Sequence, residues 1–204
     1  MCGRFLLIAA GRDLARRFGL FEEPELDPRS NIAPSQMVAV IRVKPGSPGR
    51  RLNMLKWGLI PHWAKDPSVG SRMINARSET VAEKPAFWAA FKRRRCIIPA
   101  DGFYEWAKEG KRKQPYLIAM ADGSTFAMAG LWEHWEDVKG NVIESCTILT
   151  TGANDALREL HDRMPVILRP RDYDAWLGPG PGDPGTLNAV MIAYPSDAMT
   201  LTRA

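Results

Sequence analysis

Residues 114–150 read QPYLIAMADGSTFAMAGLWEHWEDVKGNVIESCTILT. Residues 114–120, 125–131, 133–138 and 142–150 are rich in apolar and β-favouring side chains, and two turn signals punctuate them. Asp122-Gly123 supplies the left-handed backbone that a tight hairpin needs, and Lys139-Gly140-Asn141 supplies it a second time. Consecutive antiparallel hairpins are the expectation. Working outward, residues 103–107 begin another strand and 96–98 form a short one, while 52–59 return from 37–43 across the Pro- and Gly-rich loop 44–51. Residues 5–10 open the chain as a strand. A short helix follows at 13–18, its apolar side at Leu14, Ala15 and Phe18. Residues 22–34 read as loop and 61–72 as irregular. Further helices are expected at 85–91, 153–160 and 171–177, a strand at 165–168 and a loop at 178–185. No repeat and no shift in composition marks a linker. The expected fold is α+β, a single domain over residues 1–204 built on an antiparallel, barrel-like curved sheet with short peripheral helices. The C-terminal edge beyond residue 178 is not placed by this pattern.

The chain has 204 residues, long enough to bury a core without disulfide staples. Lys and Arg exceed Asp and Glu by 28 to 23, a net charge of +5 that is compatible with a polyanionic partner. The cysteines are Cys2, Cys96 and Cys146, an odd number without close spacing, so no disulfide framework is expected. Cys96-Ile97-Ile98 and Cys146-Thr147-Ile148-Leu149 read as buried structural thiols of a reducing cytosol. His62, His134 and His161 pair with no cysteine at metal-ligand spacing, so neither a metal nor a cofactor is expected. The apolar run at 5–10 is too short for a signal peptide, and no stretch approaches ~18 uncharged apolar residues, so no membrane contact is expected. The expectation is a cytoplasmic monomer.

Four segments carry candidate chemistry. Cys2 precedes Gly3, and removal of Met1 would leave an α-amine and a thiol on adjacent carbons. Such an amine titrates near ~7.7–8.0 and such a thiol near ~8.5, so both have nucleophilic fractions at neutral pH. An aldehyde meeting the pair gives an imine and then a five-membered thiazolidine; read blandly, residue 2 is a disordered end. Asn75 and Arg77 point the same way on an extended segment of Asn75-Ala76-Arg77-Ser78-Glu79-Thr80, although a polar loop reads equally well. Glu105, among Phe103, Tyr104 and Trp106, is a candidate proton carrier through desolvation, against the plainer reading of a surface strand residue. His161, in His161-Asp162-Arg163-Met164-Pro165, titrates nearest neutrality, and Arg163 could grip a phosphate; a structural role for the histidine is the bland alternative. The basic run Lys92-Arg93-Arg94-Arg95, with Lys108, Lys111, Arg112 and Lys113, reads as solvated faces or, with Trp57 and Trp63, as a groove in which bases stack. Trp57 suits the core better than Trp63 does.

In this order the segments Met1-Cys2-Gly3-Arg4-Phe5, Asn31-Ile32-Ala33-Pro34, Trp57-Gly58-Leu59-Ile60-Pro61, Asn75-Ala76-Arg77-Ser78-Glu79-Thr80, Gly102-Phe103-Tyr104-Glu105-Trp106 and His161-Asp162-Arg163-Met164-Pro165 resemble the SOS response-associated peptidase family, whose members shield abasic sites. The resemblance implies a mixed α/β fold on a barrel-like sheet, a basic cleft for single-stranded DNA, and a thiazolidine crosslink from Cys2 to the ring-opened abasic sugar. It places Cys2, Asn75, Glu105 and His161 at active-site positions and Arg77 and Arg163 at phosphate contacts, with Arg4 and Thr150 beside the lesion; the stacking reading adds Trp63 as a DNA-binding candidate. Family members continue past the last strand with an Asn-containing tail, whereas this sequence stops at Met199-Thr200-Leu201-Thr202-Arg203-Ala204. Two other readings fit the same residues: an N-terminal-nucleophile amidohydrolase or peptidase, which could remove its own Met1, and a plain single-strand-binding module in which Cys2 is incidental.

Overall fold

The computed structural model describes residues 2–44, 46, 49–110, 112–178 and 180–204, without the side chains of Lys108 and Glu109. Met1, Lys111 and the side chain of Lys108, each named in the sequence analysis, therefore lie outside the described residues. In chain order the elements are β1 (Phe5–Leu7), α1 (Gly11–Phe18), β2 (Arg29–Ile32), β3 (Met37–Arg42), β4 (Arg51–Trp57), β5 (Asn75–Arg77), α2 (Trp88–Arg93), β6 (Arg95–Ala100), β7 (Gly102–Glu109), β8 (Arg112–Met120), β9 (Phe126–Glu136), β10 (Val142–Gly152), β11 (Arg163–Pro165), β12 (Ile167–Leu168), α3 (Tyr173–Leu177), α4 (Pro184–Val190) and β13 (Met199–Arg203).

Two sheets organise them. The order β10–β4–β3–β6–β9 returns to β10 and closes a five-stranded barrel, with β5, β11 and β12 added at its margin. The second sheet is open, in the order β13–β8–β7–β1–β2. One apolar cluster joins them, with Phe5, Phe103 and Ile118 from the open sheet and Val40, Ile97, Ala129 and Ile148 from the barrel. The joint is aromatic: Phe5 meets Trp57 edge-on at 5.2 Å, and Phe103 meets Phe126 at 6.3 Å. Trp57 is fully buried, as the sequence suggested. Cys96 and Cys146 are buried free thiols.

The barrel-like α+β fold is as expected, and the hairpin at 139–141 is too: Val142 pairs with Glu136 and the register runs to Ile148 opposite Gly130. The segments 125–131 and 133–138 merge into the single strand β9. The other hairpin is not there. The Asp122-Gly123 turn forms, with Gly123 at φ 70° and Asp122 accepting from the Ser124 amide at 2.9 Å. Its flanking strands part, however, β8 pairing with β7 and β13, and β9 with β6, β10 and β12. The turn hands the chain from one sheet to the other, because both edges of each strand are claimed by other partners.

Other boundaries also shift. The segment 22–34 contains β2, which covers the edge of β1. The helix expected at 85–91 starts later, at Trp88, after a run of turns. At 153–160 there is no helix but successive turns, anchored where Asn154 Oδ1 accepts from the Leu157 amide at 3.0 Å. β13 pairs with β8 from Met199–Met120 to Arg203–Tyr116, so the C-terminal edge is a strand of the open sheet. Arg95, expected on a solvated face, is 5% exposed. Among the described residues no helix is long and apolar enough to cross a membrane.

Candidate functional site

Residue 2 is not a frayed end. Cys2 is fully buried, and its carbonyl accepts a hydrogen bond from Asn75 Nδ2 at 2.9 Å. Cys2 leads into β1 of the open sheet, whereas Asn75 opens β5 at the barrel margin, so this bond lies where the two sheets meet. The Asn75 Oδ1 acceptor is buried and has no hydrogen-bond partner among the described residues. An unmet buried acceptor costs about 1–3 kcal/mol, and here it leaves an acceptor beside residue 2 for an incoming donor.

Glu105 comes from the other flank of β1. Phe5 pairs with Phe103, and the Arg4 carbonyl accepts from the Tyr104 amide at 2.9 Å. Continuing that register brings Glu105 alongside Gly3. Glu105 is buried on β7. Burial, and then the Glu105 carboxylate, push the Cys2 thiol up to about 12, against a smaller lowering by the Arg4 backbone N–H. The thiol in this setting is neutral at pH 7.

The barrel supplies the rest through β10. β5 runs parallel to it, with Asn75 opposite Ile148 and Arg77 opposite Thr150, while β11 runs antiparallel on the same strand with Arg163 opposite Gly152. Three separate segments thus present Arg77, Thr150 and Arg163 around one strand end. Arg77 is exposed. Thr150 is buried, its hydroxyl donating to the Ala76 carbonyl at 3.4 Å. Arg163 donates to both oxygens of Glu79, Nη1 to Oε1 at 2.6 Å and Nη2 to Oε2 at 2.8 Å, and Nη2 also reaches the Thr150 carbonyl at 2.6 Å. That fork holds the Glu79 carboxyl below its ordinary range.

His161 ends the run of turns before β11. Its Nδ1 accepts the Arg163 amide N–H at 2.9 Å, so in the neutral ring the proton sits on Nε2. Asp162 Oδ1 also lies 2.9 Å from Nδ1. His161 and Glu105 line the same open cavity of about 810 Å³, together with Trp106, Lys113 and Glu159. A second cavity of about 540 Å³, at Ile8 and Thr125, contains Asp101, whose oxygens already accept from the Ile8 and Ala9 amides and the Thr125 hydroxyl.

Two predicted residues stand differently. Arg4 donates through Nη1 to Asn31 Oδ1 at 3.0 Å, so the Asn31 motif steadies the segment that carries Cys2. Trp63 is 55% exposed, and its indole N–H donates to the Pro85 carbonyl at 3.4 Å, on the loop and turn segments outside this cluster. Glu79 and Glu159 were not assigned roles from sequence, and Lys113 was read only as part of a basic run. Glu79 and Arg163 are 84 positions apart, and no local pattern links them. Among the described residues no group of three or more His, Cys, Asp or Glu could hold a metal ion.

A family model described as SOS response associated peptidase matches residues 1–204. The abasic site processing protein YoqW of Bacillus subtilis (strain 168) is 44% identical over 203 residues, covering 98% of this chain and 90% of that protein. The abasic site processing protein YedK of Escherichia coli (strain K12) is 33% identical over 185 residues, covering 87% and 79%. A crystal structure of a protein from Bacteroides thetaiotaomicron superposes with a TM-score of 0.89 at 26% identity, covering 99% of this chain and 91% of that one. One from Bordetella bronchiseptica superposes at 0.84 and 28% identity, covering 100% and 99%.

Proposed function

Since this chain belongs to the SOS response-associated peptidase family, we propose that it binds and processes abasic sites in single-stranded DNA, bonding them covalently through the α-amine and thiol of Cys2 once Met1 is removed. The similar proteins named as abasic site processing proteins support the binding and processing. The observation that carries the chemistry is the seating of residue 2, buried, tied by its carbonyl to Asn75, and beside a carboxylate that shares a cavity with a histidine.

The steps follow from those positions. The abasic sugar is mostly a closed hemiacetal. His161 protonates the ring oxygen as it leaves, while the C1 hydroxyl gives up its proton to water, exposing the aldehyde. The Cys2 amine attacks the aldehyde carbon, and Glu105 takes protons from the nitrogen and returns them to the former aldehyde oxygen, which leaves as water to give the imine. The Asn75 acceptor orients the amine or a sugar hydroxyl. The thiol then adds across the C=N bond, sulfur to carbon and proton to nitrogen, closing the thiazolidine. An imine alone promotes β-elimination of the 3′ phosphate, so ring closure protects the strand. Burial of the thiol beside the Glu105 carboxylate, which pushes it up to about 12 while Met1 is attached, supports this order, amine first, over a peptidase scheme in which thiolate attacks an amide.

Incubation with a single-stranded oligonucleotide bearing one abasic site, read on a denaturing gel and by intact mass, tests the reading. A one-to-one heat-stable adduct on protein lacking Met1 is expected; amide turnover without DNA and no adduct would overturn it. Glu105→Gln is expected to slow adduct formation by about 10²-fold, a usual contribution of a general base, with DNA affinity retained. An unchanged rate would remove Glu105 from the scheme. Arg77→Ala is expected to weaken binding and to flatten the slope of log affinity against log salt by about 0.7, one single-strand phosphate's share; an unchanged slope would mean that Arg77 touches no phosphate.

A further inference from the structure

Both Nη groups of Arg163 are engaged before any nucleic acid arrives, while its buried Nε has no hydrogen-bond partner among the described residues. Its side chain is 13% exposed and that of Glu79 is 50% exposed, so the carboxylate stands on the solvent side of the fork. The Thr150 carbonyl takes the inner side. The two N–H vectors given to Glu79 are the pair that a backbone phosphate would use, since guanidinium recognises carboxylate and phosphate with the same bidentate geometry. A phosphate can reach those two N–H groups only where Glu79 now stands. Arg77, two residues earlier and exposed, meets no such obstacle in the described contacts.

We propose that Glu79 is an internal stand-in for a backbone phosphate, occupying the Arg163 fork in the free protein and exchanged for a DNA phosphate on binding, and that it thereby determines how weakly the site holds undamaged strands. This rests on the reading of single-stranded DNA as the ligand. The exchange trades one anion for another at Arg163, so the new contact is offset by loss of the old one, whereas Arg77, whose charge acts on Glu79 more weakly than Arg163 does, keeps most of its attraction for the strand. Non-covalent affinity stays low, and retention at a lesion falls to the covalent step. Glu79 touches no reacting atom; it acts through Arg163.

The test measures binding of an undamaged single-stranded oligonucleotide by fluorescence anisotropy over a salt series, for wild type, Glu79→Gln, Glu79→Asp, Arg163→Ala and the double variant Glu79→Gln/Arg163→Ala. Glu79→Gln is expected to bind about fivefold tighter at low salt, the scale of a half-exposed charge pair. Glu79→Asp, which keeps the charge, should return toward wild type. Arg163→Ala should cost several-fold more affinity in the Gln background than in wild type. Equal or weaker binding by folded Glu79→Gln, or an Arg163→Ala cost independent of background, would overturn the proposal and leave Glu79 a structural tie. Should the Gln variant fail to fold, the single variants still decide: Arg163→Ala must cost wild type less affinity for undamaged DNA than Arg77→Ala does, and the reverse order sinks the idea. Because this assay uses no lesion, a missing abasic adduct would defeat the proposed function without touching this result. Normal adduct formation with no tighter binding by Glu79→Gln would defeat this inference alone.

Discussion

Cys2→Ala protein is expected to give no heat-stable adduct with abasic DNA, although it retains an N-terminal amine and its DNA affinity. The reason is the division of labour at residue 2. The amine alone makes an imine, which water reverses or which eliminates the 3′ phosphate. Only the thiol converts that carbon into a ring bonded to both nitrogen and sulfur. The Ala variant should therefore show more strand breakage than wild type, and Cys2→Ser should behave alike, with an imine that borohydride traps. A heat-stable adduct from Cys2→Ala would end the proposal. The pH profile carries the same logic. With Met1 attached, burial and then Glu105 push the thiol up to about 12, so in that form the thiol is neutral across the neutral range. Adduct formation should rise with pH as the amine loses its proton, near ~7.7–8.0 if unperturbed, and then level off. A rate that keeps climbing about tenfold per unit beyond about pH 9 would point to thiolate attack.

Arg95→Met is the second large effect, and it falls on stability. The buried Arg95 guanidinium donates to five carbonyls: those of Phe91 and Lys92 at the end of α2, of Trp176 in the last turn of α3, and of Gly178 and Gly180 just beyond it. Helix ends leave carbonyls without partners, and here one side chain from the first position of β6 serves two helices. Methionine fills a similar volume and donates nothing. Loss of about 3–5 kcal/mol is expected, since several buried acceptors are left unmet at once. Urea denaturation would measure it, and a loss below about 1 kcal/mol would mean that water replaces the guanidinium without difficulty.

The elements that were legible in the sequence are those whose cause is local. Turn chemistry and alternation gave β9, β10 and the hairpin between them, and the pair β3 and β4 across a Pro- and Gly-rich loop. The turn at Asp122-Gly123 was equally local and formed as expected, yet the pairing of its flanking strands was decided by β7, β13, β6 and β10. The helix expected at 153–160 is a run of turns, and Asn154 there makes the same first hydrogen bond that a helix cap would. For the site, Cys2, Asn75, Glu105 and His161 were readable as chemical types in ordered motifs. What no pattern carried was who holds whom: the Asn75 amide on the Cys2 carbonyl, the Glu79 carboxylate in the Arg163 fork, and the guanidinium of Arg95 turned inward from a run of four basic residues.

The assembly of the cluster from residues 2, 75, 105 and 161 has a consequence for how the protein is made. At ribosomal speeds of roughly 5–20 residues per second, about 8–30 s separate the synthesis of residue 2 from that of residue 161. Until residue 161 is made the cluster is incomplete, and on the proposed reading an amino-thiol freed early would meet other aldehydes before all its partners exist. Translation order thus sets a window of vulnerability that closes only when the barrel does.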